Sequence, residues 1–210
     1  MTARRSLARR ACALTAAAAA AVLLAACGST DKSASSGHDM GSTSSPSATA
    51  SQGTHNAQDV AFAQGMIPHH RQAVAMADLA PGRAKSNDVK TLASTIKEAQ
   101  DPEIVTMTSW LKGWGEKVPT ADAMNGMNHS SGHDMSGPMS ADDMAKLKKL
   151  SGTAFDTAFL QMMVGHHQGA VDMAKTEQAK GAYSPARDLA KSIIASQTTE
   201  ITQMNKMLGN

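Results

Sequence analysis

The stretch DVAFAQGMIPHHRQAVAMA, Asp59 to Ala77, returns 97 residues later as DTAFLQMMVGHHQGAVDMA, Asp156 to Ala174. Each copy centres on a histidine pair, His69–His70 and His166–His167. The offset holds downstream without a gap. Leu92, Ile96, Gln100, Glu103, Ile104, Met107 and Leu111 recur as Leu189, Ile193, Gln197, Glu200, Ile201, Met204 and Leu208. Of the 53 positions from 59 to 111, 19 repeat identically. A repeat of this length is a doubled supersecondary unit. Here it predicts two tandem helix hairpins, an all-α up-down four-helix bundle with pseudo-twofold symmetry.

The helix boundaries follow from caps and breakers. The first helix is predicted over 57–80, with Asn56 as N-cap and Pro81-Gly82 as the stop. The second is expected over 87–112, ended by Gly113 and kinked at Pro102. Ser140 caps a short turn to Leu150, and a long helix follows over 153–180, closed by Gly181. Ser184-Pro185 opens the last helix, which runs to Leu208. Val, Ile and Tyr are too sparse for an alternating strand.

At about 100° per residue, Phe62, Met66, Ala73 and Ala77 share one stripe, and His69 and His70 flank it at about 50° on either side. The inward face of the partner helix carries a carboxylate, Glu103, repeated as Glu200. Buried carboxylates call for a partner or a metal.

The chain begins with an export signal. Arg4, Arg5, Arg9 and Arg10 precede an apolar run that ends in Leu24-Ala25-Ala26-Cys27. That run is too short for a stable span. The paired arginines hint weakly at twin-arginine export. The LAAC ending resembles a bacterial lipobox, with residues 1–26 as signal peptide and Cys27 as the lipidated N-terminus. This places the protein on the outer face of the cell membrane. Removing four Arg from the 20 basic residues leaves 16 against 18 acidic ones, a net charge of −2 in place of +2. With no basic stripe or aromatic platform, nucleic acid is excluded as a partner. Of the two cysteines, Cys12 leaves with the signal and Cys27 carries the lipid. Soft-metal ligands must then come from Met or His.

Residues 27–55 form a Ser/Gly-rich tether, and residues 56–210 a single domain. The domain divides into repeat one over 57–112, a Met/His-rich loop over 113–139 and repeat two over 140–209.

In each repeat the His pair lies one turn from a Met, Met66 or Met163. A second Met, Met76 or Met173, follows on the same side. Met107 and Met204 enter from the partner helices. Imidazole with thioether and no thiolate suits Cu(I) or Ag(I), and imidazole alone also admits Cu(II) or Zn(II). Methionine at helical spacing is equally a core filler, and a His facing a Glu can be a purely structural network. Two copies of the whole set tip the balance towards metal. The tether and loop carry a further tract with no core to fill: His38, Met40, Met124, Met127, His129, His133, Met135 and Met139. Catalytic signatures are absent. The Glu-x-x-His spacing of di-iron carboxylate bundles fails, because Thr106 and Gln203 stand where His would be.

The pattern F-x3-M-[IV]-x-H-H-x2-A-V-x-M-A, followed by L-x3-I-x3-Q-x2-E-I-x2-M-x3-L, resembles the domain-of-unknown-function family numbered 305 over residues 59–208. The resemblance implies a ferritin-like fold, extracytoplasmic copper binding and copper tolerance. It also implies a binding set of Met66, His69, His70 and Met76 with Met163, His166, His167 and Met173. Glu103, Met107, Glu200 and Met204 stand behind that set. The expectation is a copper-binding, non-enzymatic lipoprotein that sequesters the ion or hands it to a copper-handling protein. Its rivals are a metallo-oxidase and a metal-free interaction scaffold.

Overall fold

A computed structural model describes residues 53–120 and 139–209. The lipid-site Cys27 and the tract residues His38, Met40, Met124, Met127, His129, His133 and Met135 lie outside the described residues. The described chain is all helical. The helices are α1 (Ala57–Ala77), α2 (Ala80–Arg83), α3 (Asn87–Trp114), α4 (Ala141–Leu147), α5 (Gly152–Lys180) and α6 (Ser184–Leu208). The only strand-like feature among the described residues is an isolated bridge between Ala84 and Gly152. No described helix is long and apolar enough to cross a membrane.

The four long helices pair as hairpins. α1 packs on α3, α5 packs on α6, and α1 meets α5 at the centre. α1 opens with a capping box. The Asn56 side chain accepts from the Gln58 and Asp59 amides, and the Asp59 carboxylate accepts from the Asn56 amide at 2.6 Å. The two reciprocal bonds satisfy orphan donors of the first turn.

The boundaries of α1, α3 and α6 differ from the sequence expectations. α1 stops at Ala77 rather than residue 80, and Pro81 instead sits in the first turn of the separate α2. A proline lacks the N–H needed to bond back one turn, yet fits a first turn, where that N–H has no partner. α3 continues through Pro102 as one helix and ends at Gly115, not Gly113. Gly115 has φ +76° and its amide reaches back to Leu111 and Lys112, a left-handed C-cap suited to glycine. α5 ends at Gly181 as expected, in extended backbone. Ser184 is the first residue of α6, not its cap, and its hydroxyl turns to Asp188. The capping is done from a distance: the Tyr183 amide donates to Asp59 of α1 at 3.0 Å.

Two apolar clusters fill the bundle. One gathers Phe155 and Phe159 with Leu92, Ile96 and Leu147. The other gathers Phe62, Ile67, Leu111 and Ile193 around a run of alanines. Small residues at Ala63, Ala170, Ala174 and Ala190, all 0% exposed, let the helices approach closely enough to bring polar side chains into contact.

Candidate metal centre

The α1–α5 seam carries the histidines. His69 and His166 face each other across it, ring centroids 3.6 Å apart and planes inclined by 37°. Further along, the Gly65 backbone lies against the Met173 sulfur, which a β-carbon there would meet at 3.6 Å. As α1 advances from 65 to 69, α5 retreats from 173 to 166, so the two helices run antiparallel. The histidines mark the middle of their contact.

The members of each pair have different roles. His70 Nε2 donates to Glu103 Oε2 at 2.6 Å, and His167 Nε2 to Glu200 Oε2 at 2.7 Å. Both imidazoles are fully buried, while the two carboxylates stay 17% and 13% exposed. Each Glu thus has one side in the bundle and one towards water, which lowers the cost of holding its charge. A ring whose Nε2–H is engaged by a carboxylate keeps its lone pair on Nδ1, the arrangement that orients and activates metal-binding histidines.

The ring nitrogens of His69 and His166 reach no side-chain partner among the described residues. Six buried ring nitrogens lack a hydrogen-bond partner: Nδ1 and Nε2 of His69 and of His166, and Nδ1 of His70 and of His167. Burial holds the His69 and His166 imidazoles well below the ordinary histidine value, and neighbouring imidazoles deepen the effect. Both are accordingly neutral at pH 7, the form that donates a lone pair to a metal.

The thioethers sort across the repeats rather than within them. Met66 and Met107 are fully buried in the same cluster that Met173 packs against. Met76, Met163 and Met204 are fully buried together in the other cluster. Met66 and Met76, which belong to one repeat, therefore lie in different clusters. Ten residues of helix span about 15 Å, so one ion cannot reach both. The antiparallel seam instead brings Met173 of repeat two to Met66, and Met76 of repeat one into the cluster of Met163.

Met139 lies half-buried at the edge of the centre. Its backbone amide donates to Gln72 Oε1 at 2.7 Å, and its carbonyl accepts from Gln72 Nε2 at 2.9 Å. Arg71 binds the Pro119 carbonyl at 2.7 Å, and Gln64 binds that of Lys117 at 2.9 Å. Both ends of the Met/His-rich segment are therefore fastened to α1, at residues that flank His69 and His70.

Sequence reasoning missed Gln100 and Gln197. Both are buried with Oε1 unpartnered. Their signal was present, since they are identical positions of the repeat one turn before Glu103 and Glu200. It also missed Asp59 and Asp156, which hold turns of the opposite hairpin. Among the described residues no three His, Cys, Asp or Glu side chains converge as a ready cage. A metal held at this seam would therefore have to draw on imidazole together with thioether.

The family of domain of unknown function DUF305 matches residues 59–208. No curated protein matches the chain. Among solved structures, a putative secreted DUF305 protein from Streptomyces coelicolor is 31% identical, with a TM-score of 0.63 over 72% of this chain and 92% of its own. A DUF305 fragment from Deinococcus radiodurans is 30% identical, with a TM-score of 0.63 over 73% and 97%. CopM in its Cu(II)-bound form is 34% identical, with a TM-score of 0.59 over 71% and 94%. CopM is also solved in Cu(I)-bound and Ag-bound forms. With its family match covering most of the chain and its helical fold shared with these structures, the protein belongs to the DUF305 family.

Proposed function

We propose that this protein binds copper outside the cytoplasmic membrane, as a lipid-anchored protein that sequesters or buffers the ion rather than transforming a substrate. The observation that carries the reading is the set of six buried, unpartnered ring nitrogens at the α1–α5 seam. A purely structural histidine network would satisfy its nitrogens, since each unmet buried polar group costs about 1–3 kcal/mol. A metal offsets that cost. Thioethers of Met66, Met107 and Met173 on one side, and of Met76, Met163 and Met204 on the other, favour Cu(I), with Ag(I) as its mimic and Cu(II) or Zn(II) admitted by imidazole. The copper- and silver-bound CopM structures support the assignment by likeness. Glu103 and Glu200 then act through His70 and His167, fixing ring orientation. The tract in the tether and loop is a looser reservoir, and a copper-handling protein is the natural recipient.

The test is an anaerobic Cu(I) titration against a competing chelator. The wild type is compared with a variant carrying His69→Ala, His70→Ala, His166→Ala and His167→Ala, its helicity checked by circular dichroism. Loss of the tightest class of sites is expected in the variant. Unchanged affinity and stoichiometry would remove the bundle from the reading. A second variant lacking the tract residues is expected to lose only weaker sites.

A further inference from the structure

The two hairpins are held together by a repeated clasp. Asp59, 0% exposed, accepts from the Asn56 amide at 2.6 Å, the Tyr183 amide at 3.0 Å and the Ala182 amide at 3.1 Å, so α1 grips the α5–α6 turn. Asp156 does the same for the opposite turn, accepting from Lys85 at 3.1 Å and Ser86 at 2.9 Å. The two clasps occupy equivalent positions of the repeat, with Asp59 and Asp156 identical and the turn amides at 182 and 183 matching those at 85 and 86. They differ in one respect that matters to charge: Glu177 stands where the other half has Ala80.

Glu177 is 0% exposed, and neither carboxyl oxygen makes a well-formed hydrogen bond among the described residues. The Asp59 carboxyl and the Gln58 amide are its polar neighbours. Glu177 and Asp59 both lie against Gly181, where an added β-carbon would collide with the Glu177 carboxyl and sit 2.8 Å from Asp59 Oδ1. Two carboxyls closed into one corner require something positive between them. A metal ion does not fit, because the Asp59 oxygens already take backbone N–H bonds that point positive charge at them. A proton does fit.

We propose that Asp59 and Glu177 share a proton and form a proton-operated clasp that holds the α5–α6 turn to the N-terminal end of α1. The charged groups facing Glu177 are Asp59 on α1 and Arg187 on α6, with the neutral amide of Gln58 beside them. Burial, then the hydrogen bond and charge of Asp59, push the Glu177 carboxyl up to about 8, against the weaker pull of Gln58 and Arg187. Above that pH a second negative charge stands against Asp59, and the hold on Ala182 and Tyr183 weakens. Tyr183 makes edge contacts with Trp110 and Trp114, at 5.6 and 5.3 Å between ring centroids. These are the chain's two tryptophans, so their emission reports the same event.

The Asp156 clasp, with Ala80 in place of the acid, is a control inside the same molecule. The experiment is amide hydrogen exchange by NMR between pH 6.5 and 9.5, read as protection factors and followed in parallel by tryptophan fluorescence. The Ala182 and Tyr183 amides are expected to lose at least tenfold protection across a transition near pH 8, while Lys85 and Ser86 keep theirs. In Glu177→Gln, the transition disappears from exchange and fluorescence alike. The proposal is overturned if both pairs of amides respond in parallel in the wild type, or if Glu177→Gln retains the transition. If that variant did not fold, the comparison within the wild type would still decide.

Discussion

At the scale of single residues, the division of labour within each His pair is the main result. His70 and His167 are oriented by carboxylates, while His69 and His166 meet across the seam with no other partner. Glu103→Gln or Glu200→Gln leaves a hydrogen-bonding group but removes the charge that makes the ring a better donor. Such positioning partners are worth roughly 10–100-fold in metal affinity. Competition titration of the two variants is expected to show losses in that range with the fold intact. Glu177 carries a second prediction, because its carboxyl is raised in the folded state. The unfolded chain gives up that proton from about the ordinary glutamate value of 4.5 upward, while the folded chain keeps it to about 8. Glu177 therefore costs stability increasingly across that window, and the cost levels off above it. Glu177→Gln is expected to raise the thermal midpoint at pH 8 and to leave it unchanged at pH 4, as scanning calorimetry would show. Asp59 has the opposite sign. Burial pushes it up, but hydrogen bonds from Glu177 and from the Asn56, Tyr183 and Ala182 amides outweigh this and hold it below the ordinary carboxylate value. Its contribution is present at neutral pH and is lost on acidification below pH 4.

At the scale of elements, the helices were largely legible because periodicity, caps and breakers agreed. The errors fell where a distant group replaced a local one. Ser184 followed by Pro185 has the form of a cap and first turn, yet the turn before α6 is fastened by Asp59 from another helix. No local window contains that partner. Gly113 and Gly115 were equally good stop signals, and only the backbone dihedral separates them. The capping box of α1 was partly visible, since Asn56 was identified but the reciprocal bond to Asp59 was not. Asn56→Ala removes the side-chain acceptor for two first-turn amides and a bond to the Lys180 carbonyl. It is expected to cost about 1–2 kcal/mol, measurable by urea denaturation. Gly181→Ala should cost more than an ordinary surface substitution, because its β-carbon meets two buried carboxyls.

At the scale of the whole molecule, the repeat made the bundle readable, and it also misled. Within one repeat, Met66 and Met76 look like members of one set. The antiparallel seam separates them and exchanges their partners, placing Met173 with Met66 and Met76 with Met163. Sequence spacing describes one helix, whereas a site between helices depends on their crossing. Glu177 was invisible for the complementary reason: it lies where the repeat fails, and a repeat-based reading passes over unmatched positions. The sequence names the histidines and methionines of the seam one by one, whereas which of them lie together depends on how the helices cross. One consequence is testable on the whole protein. Met66→Leu and Met173→Leu should weaken the same class of sites and be non-additive, whereas Met66→Leu and Met76→Leu should be additive.

The central claim is that the bundle histidines take the metal, and Ag(I) tests it directly because it is a diamagnetic stand-in for Cu(I). The chain holds eight histidines, each with its own pair of ring ¹⁵N resonances. During titration with one equivalent of Ag(I), the ring nitrogens of His69 and His166, and Nδ1 of His70 and His167, are predicted to shift first. Early shifts confined to His38, His129 and His133, with the bundle rings unmoved, would contradict the account.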